Sequence, residues 1–138
     1  MYDLQFILKF AFVWVTIFFL HEVMHVLEGL RQRAQSCYIM VTRSTLGLPS
    51  MHAFALPMKD EEKFYIMGGF GAGLISMAMC FLTTDPQMRL AFLILADINL
   101  FYSAFEYFCI EKLSAKQYDI GRYTLYLIII IGLLWIFR

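Results

Sequence analysis

His21-Glu22-Val23-Met24-His25 places two imidazoles and a carboxylate within little more than one turn of a helix. Residues four apart leave the same helical face about 5–6 Å apart, the spacing two imidazoles need to share one metal ion. The Glu after the first His stands one step around the helix, where it reaches a metal-bound water and takes its proton. The chemistry this implies is hydrolysis, with His21 and His25 as ligands of one Zn2+ per chain and Glu22 as general base. These residues lie inside an otherwise apolar run. There a charged group costs on the order of 2–3 kcal/mol on membrane-insertion scales, so ionisable residues default to function. The competing reading is a buried hydrogen-bond cluster that joins helices.

A catalytic zinc takes three protein ligands and keeps one position open, so a third ligand must come from elsewhere in the chain. The stretch Leu95–Tyr107 offers two acids, Asp97 and Glu106. Asn99, Tyr102 and Glu106 fall at i, i+3 and i+7 and share a face, whereas Asp97 points about 180° from Glu106 at roughly 100° per residue. Level within the membrane favours Glu106: it lies toward the same end of its apolar run as His21 and His25 do of theirs. Asp97 stands roughly 13 Å further along the axis; it is the alternative third ligand, or else an interhelical polar contact, with Thr16 as its partner. Glu28 follows the two histidines on their stripe, but a straight helix does not converge three such side chains on one ion, so it reads as a supporting or interface carboxylate. His52 reads as an exposed loop histidine.

The elements that must position these groups follow from composition. Of 138 residues, 61% are hydrophobic and 16% charged, with fourteen Phe; a soluble domain this small has too little interior for so much apolar surface. A bilayer accepts it, provided backbone groups are paired internally. The expected fold is one polytopic domain over 1–138, an all-α membrane protein with about four transmembrane helices near 4–30, 64–83, 90–110 and 122–137. A small cytoplasmic β-hairpin is expected in the 31–63 loop, because two β-prone runs, 37–42 and 51–56, flank a Gly47-Leu-Pro49-Ser turn. The run from Leu4 to Leu20 lacks a basic start and is long for a cleavable signal, so it is expected to be a retained span.

Eight of the eleven Lys and Arg fall in 31–63 and 111–122. The positive-inside rule puts those loops in the cytoplasm, both termini outside, and the site toward the cytoplasmic face of what is expected to be the cell membrane. Zero net charge gives no hint of nucleic acid. Cys37, Cys80 and Cys109 are too scattered for a disulfide framework or a thiolate zinc site. Gly68–Gly73 does not follow a strand as a phosphate loop would. Gly69-x-x-x-Gly73 with Ser76 is the small-residue pattern of close helix packing in lipid, expected to bring the second helix against the metal helix.

In this order the features resemble the site-2 protease family of intramembrane zinc metalloproteases: His21-Glu-Val-Met-His25 in a span, an Arg-bearing cytoplasmic stretch, a hairpin, a Gly-rich span, then an acid-bearing span. The resemblance covers most of residues 4–110. In that family a later helix carries Asn-x-x-Pro followed by Leu-Asp-Gly, whose Asp is the third zinc ligand. Asn99 falls at the Asn and Glu106 within one residue of the Asp, so the resemblance implies Glu106 as ligand and Asn99 as a substrate or oxyanion contact. The prolines and the Asp-Gly have no counterpart here, which makes the likeness that of a distant or minimal member.

The resulting expectation is a zinc metalloendopeptidase acting on a transmembrane protein or peptide substrate in the bilayer, its substrate unwound and added as a strand to an edge of the hairpin. Two other classes compete. Glu22-x-x-His25 is also an element of carboxylate di-iron bundles, which need a second Glu-x-x-His. A non-proteolytic metal-binding protein would instead use the Gly-rich face for a membrane partner. Substrate and oligomeric state stay open at this level.

Overall fold

A computed structural model of the chain describes residues 4–109 and 112–136. The elements run α1 (Leu4–Arg31), β1 (Ser36–Arg43), β2 (Pro49–Leu56), α2 (Glu61–Leu82), α3 (Pro86–Cys109) and α4 (Ala115–Ile136). The expected span ends at 110 and 137 lie outside the described residues. Three of the four helices, α1, α2 and α3, are long and apolar enough to cross a membrane.

α1 buries a stripe of Phe6, Val13, Ile17, His21, His25 and Glu28, so one face changes from apolar to ionisable as it nears the hairpin. The helix stops in paired backbone bonds, Ala34 N–H to Gly29 O at 3.0 Å and Arg33 N–H to Leu30 O at 2.9 Å. Arg33 takes the left-handed position, φ 61°, that most often falls to Gly. β1 and β2 then pair antiparallel from Ser36↔Leu56 to Arg43↔Pro49. Gly47, at φ 78°, supplies the positive φ that the turn requires.

α2, α3 and α4 all begin earlier than hydropathy alone predicts, and the last two furthest. α3 starts at Pro86, whose missing N–H costs nothing at a first helical position, and Asp85 accepts the Gln87 N–H at 2.9 Å. α4 starts with Ser114 and Gln117 in a capping arrangement: Gln117 Oε1 accepts from the Ser114 N–H at 3.1 Å and Ser114 Oγ from the Gln117 N–H at 3.4 Å. Both first turns are polar, so a search for apolar runs passes over them.

The Gly-rich helix α2 sits between two neighbours. Gly69 and Gly73 face α3, where an added Cβ would meet Asn99 O and Leu100 respectively. Ser76 Oγ–H donates to Phe92 O and Ser103 Oγ–H to Ile66 O, both at 2.8 Å, closing the same seam. Gly68 is what faces α1: a Cβ there would overlap the His25 ring. The expectation that the Gly69/Gly73 face meets the metal helix is therefore corrected, because consecutive helical positions lie about 100° apart and the glycine cluster serves both neighbours. Outward, Phe12, Phe19, Phe81, Phe101, Leu127 and Trp135 are among many exposed large apolar side chains, far more than water-facing surfaces carry.

Candidate metal centre

His21 and His25 are both buried on α1, and Glu106, also buried, reaches them from α3. His21 Nε2 and His25 Nε2 lie 3.1 Å apart, and Glu106 Oε2 is 3.7 Å from each. These are the three side chains that, among the described residues, form a group able to hold a metal ion.

The hydrogen bonds behind each ring decide what the facing atoms are. Asn99 Nδ2–H donates to Leu95 O at 2.8 Å, which turns Oδ1 to accept from His21 Nδ1–H at 3.0 Å. His25 Nδ1–H donates to Phe64 O at 2.6 Å, and the Phe64 ring stacks on the imidazole with centroids 4.9 Å apart. With Nδ1 protonated on both rings, each Nε2 presents a lone pair. The Tyr102 and Tyr118 hydroxyls lie 2.7 Å apart and share one proton between them, and the other goes to Glu106 Oε1, 3.2 Å from Tyr118 and 3.5 Å from Tyr102, while Oε2 is buried with no hydrogen-bond partner. With both imidazoles neutral, three acceptors converge with no proton among them, an arrangement that favours a cation. Their separations bracket the roughly 3.4 Å edge of a tetrahedral ion with bonds of about 2.0–2.1 Å to nitrogen and oxygen. The donor set fits zinc.

Glu22 projects to the hairpin, where its Oε2 accepts the Ala53 N–H at 2.7 Å. A cavity of about 500 Å3 is lined by Glu22, His25 and Glu106 from the helices, by Ala53 and Ala55 of β2, and by Tyr118 of α4. Glu22 and two of the three converging side chains therefore open onto one space.

Other expectations change. Asn99 is not among the residues that line that cavity; both ends of its amide are committed, to His21 and to Leu95 O. Asp97 is partly buried and stands outside the cluster of His21, His25 and Glu106, and Thr16 Oγ1–H donates within its own helix to Phe12 O at 2.9 Å and not to Asp97. Glu28 pairs with Arg31 and Gln32, which fixes the end of α1. His52 is not an exposed loop residue: it sits in β2, half-buried, on the wall of the cavity. Arg122, counted as a loop cation, is buried in α4 against Asp119 at 3.0 Å. Burial, then the Arg122 charge, hold the His52 imidazole below its ordinary value.

Four supporting groups had no sequence signal: Phe64 O, the Ala53 N–H, the Tyr118 hydroxyl and the placement of His52. Tyr102 and Asn99 stood on the Glu106 face by periodicity. No family model, characterised protein or solved structure matches the chain.

Proposed function

We propose that the chain is an intramembrane zinc metallopeptidase that hydrolyses peptide bonds of transmembrane substrates, related at a distance to the site-2 proteases. The observation that carries this reading is the meeting of two imidazole lone pairs with a carboxylate oxygen, buried and without a hydrogen-bond donor, beside a further carboxylate on an open cavity.

His21, His25 and Glu106 would hold the ion. Zinc, when bound, supplies the Lewis acidity that makes water nucleophilic near neutral pH. Glu22 takes the proton of the attacking water and passes it to the leaving amine; the Ala53 N–H fixes its carboxylate at the cavity wall. Ala53 pairs with Ile39 in the register yet gives its N–H to Glu22, so this edge of β2 turns away from β1 and toward the cavity. A substrate unwound into an extended segment adds to that edge as a strand, which brings its backbone alongside the base. Asn99, through Nδ1 of His21, and Tyr102 with Tyr118, through Oε1 of Glu106, keep the ligand atoms aimed.

α4 is proposed as a fourth span. The hairpin and the α3–α4 connection then lie on the cytoplasmic face, with both termini outside.

The test is metal content and cleavage measured together on the purified full chain. One zinc per chain, lost in His21→Ala and Glu106→Ala, is expected. Glu22→Gln should keep the zinc and lose cleavage of transmembrane peptides; cleavage at the wild-type rate by Glu22→Gln would remove the general base. Iron at two per chain would replace this reading with the di-iron one, although Glu28 is committed to Arg31 and Gln32. Zinc bound without turnover in the wild type would leave a metal-binding, partner-binding protein.

A further inference from the structure

We infer that His52 is a catalytic residue of the proposed peptidase, donating a hydrogen bond from Nδ1 to the carbonyl oxygen of the scissile bond as that oxygen gains charge. This rests on the hydrolytic reading above, and it concerns a side chain outside the metal-binding set.

Three observations support it. First, His52 lines the same cavity as Glu22, His25 and Glu106, from the hairpin side. It is the third histidine of the chain, and with His25 it is one of two that line the cavity.

Second, its surroundings favour one tautomer. Arg122 only donates, and three oxygens lie within reach of the two hydrogens of its Nη2: Asp119 Oδ1 at 3.0 Å, the Tyr123 hydroxyl at 3.1 Å and Ser50 Oγ at 3.4 Å. The Ser50 proton has no acceptor in Arg122, and its one acceptor within reach among the described residues is His52 Nε2 at 2.9 Å. With Nε2 accepting, the ring proton sits on Nδ1.

Third, that Nδ1–H has no protein partner among the described residues, and it is not enclosed, since it is not among the buried atoms left unsatisfied. A fixed imidazole with a free donor on a substrate cavity is the arrangement that stabilises a developing oxyanion.

The anchoring is stiff. Asp119 accepts from Arg122 and also from the Thr45 N–H and Oγ1–H at 2.8 and 2.6 Å, so the first turns of α4 and the hairpin turn are tied together behind His52. The ring stays neutral at working pH because burial and the neighbouring Arg122 disfavour its charge. A neutral donor spends no proton: the bond to the carbonyl oxygen strengthens as the water adds and relaxes as the amine leaves, while Glu22 alone carries the transferred proton.

The chemistry is tested with a quenched-fluorescence peptide bearing an apolar segment of about 20 residues broken by Gly-Pro near one end, cleaved by the zinc-loaded full chain in detergent. His52→Ala should lower kcat by about 10²–10³-fold with KM and zinc content unchanged, and His52→Gln, which keeps an N–H donor, should recover part of the loss. A kcat for His52→Ala equal to wild type would overturn the inference, and so would a loss matched by loss of zinc or of folded protein. Glu22→Gln runs beside it: if that variant is inactive while His52→Ala is not slowed, His52 falls and the peptidase stands; if Glu22→Gln cleaves normally, the peptidase reading falls. A readout independent of activity is 15N NMR of the imidazoles in the metal-free chain. The His52 ring should carry its proton on Nδ1 in the wild type and redistribute it toward Nε2 in Ser50→Ala. A wild-type ring protonated on Nε2 would sink the proposal, whatever the rates.

Discussion

At the scale of residues, the outcome turns on which atoms carry protons. As neutral imidazoles, His21 and His25 face each other through lone pairs, because Asn99 Oδ1 and Phe64 O accept the protons on the far side of each ring. Asn99→Ala removes one of those acceptors without touching the cavity. Supporting hydrogen bonds of this kind are worth about 10–100-fold in metal affinity, so zinc competition against a chelator should show a loss of that size with the fold intact. An unchanged affinity would mean that Asn99 serves α3 alone. Asn99 was legible as a residue on the Glu106 face, from its i+7 spacing. Its task was not, because a helical wheel gives direction without the identity of the atom met.

At the scale of elements, close approach sets what substitutions cost. Gly68 admits the His25 ring, and an alanine methyl there has no room. Overpacking of this kind costs about 1–3 kcal/mol, so Gly68→Ala should lower the unfolding temperature in detergent and weaken metal binding. Gly132→Ala, where nothing lies within 4 Å of an added Cβ, is the control. It should be neutral or raise stability by about 0.5–1 kcal/mol, since Gly is a poor residue inside a helix. At the start of α4, Ser114→Ala removes the capping exchange with Gln117 and should cost about 1 kcal/mol in thermal unfolding. The apolar middles of α1 to α3 and the hairpin were readable from run length, turn residues and β-prone patterns. The polar first turns of α3 and α4 were not, because caps and helix-start residues look like loop to a hydropathy count.

At the scale of the whole molecule, the polar groups divide between two ends. The His21, His25 and Glu106 cluster, the hairpin and the buried Asp119–Arg122 pair occupy one. At the other, Lys9 Nζ reaches Asp85 Oδ2 at 2.5 Å and Gln87 Oε1 at 3.0 Å, tying α1 to the α2–α3 connection. The hydrogen bond from Lys9 holds the Asp85 carboxyl below its ordinary 3.8. A depressed carboxyl stabilises the folded state above the unfolded value and loses that contribution as pH falls through the folded one. Asp85→Asn should therefore lower the unfolding temperature at neutral pH, and the gap to wild type should close below about pH 4; a gap that persists in acid would assign the effect to packing. The membrane placement has its own test in a cysteine-free background. Single cysteines at Leu46, in the hairpin turn, and Thr84, between α2 and α3, should react with a membrane-impermeant thiol reagent from opposite sides of the bilayer, Leu46 from the cytoplasm. Labelling of both from one side would rule out the proposed topology.

The sequence alone determined what short-range physics controls: an apolar composition that points to lipid, a hairpin between the first two helices, and two imidazoles one turn apart with a carboxylate beside them. It narrowed the third side chain of the cluster to two acids by periodicity and depth. The tertiary structure decided everything that needs atoms from distant segments in one place. It set Glu106 beside the imidazoles and Asp97 away from them, gave Asn99 to His21, tied Glu22 to β2 and brought His52 to the cavity. The reason is that helical spacing is a property of neighbouring residues, whereas the partner of a buried donor or acceptor is fixed by how whole helices pack, and that packing is spread over the glycine seams of α2 and no single motif.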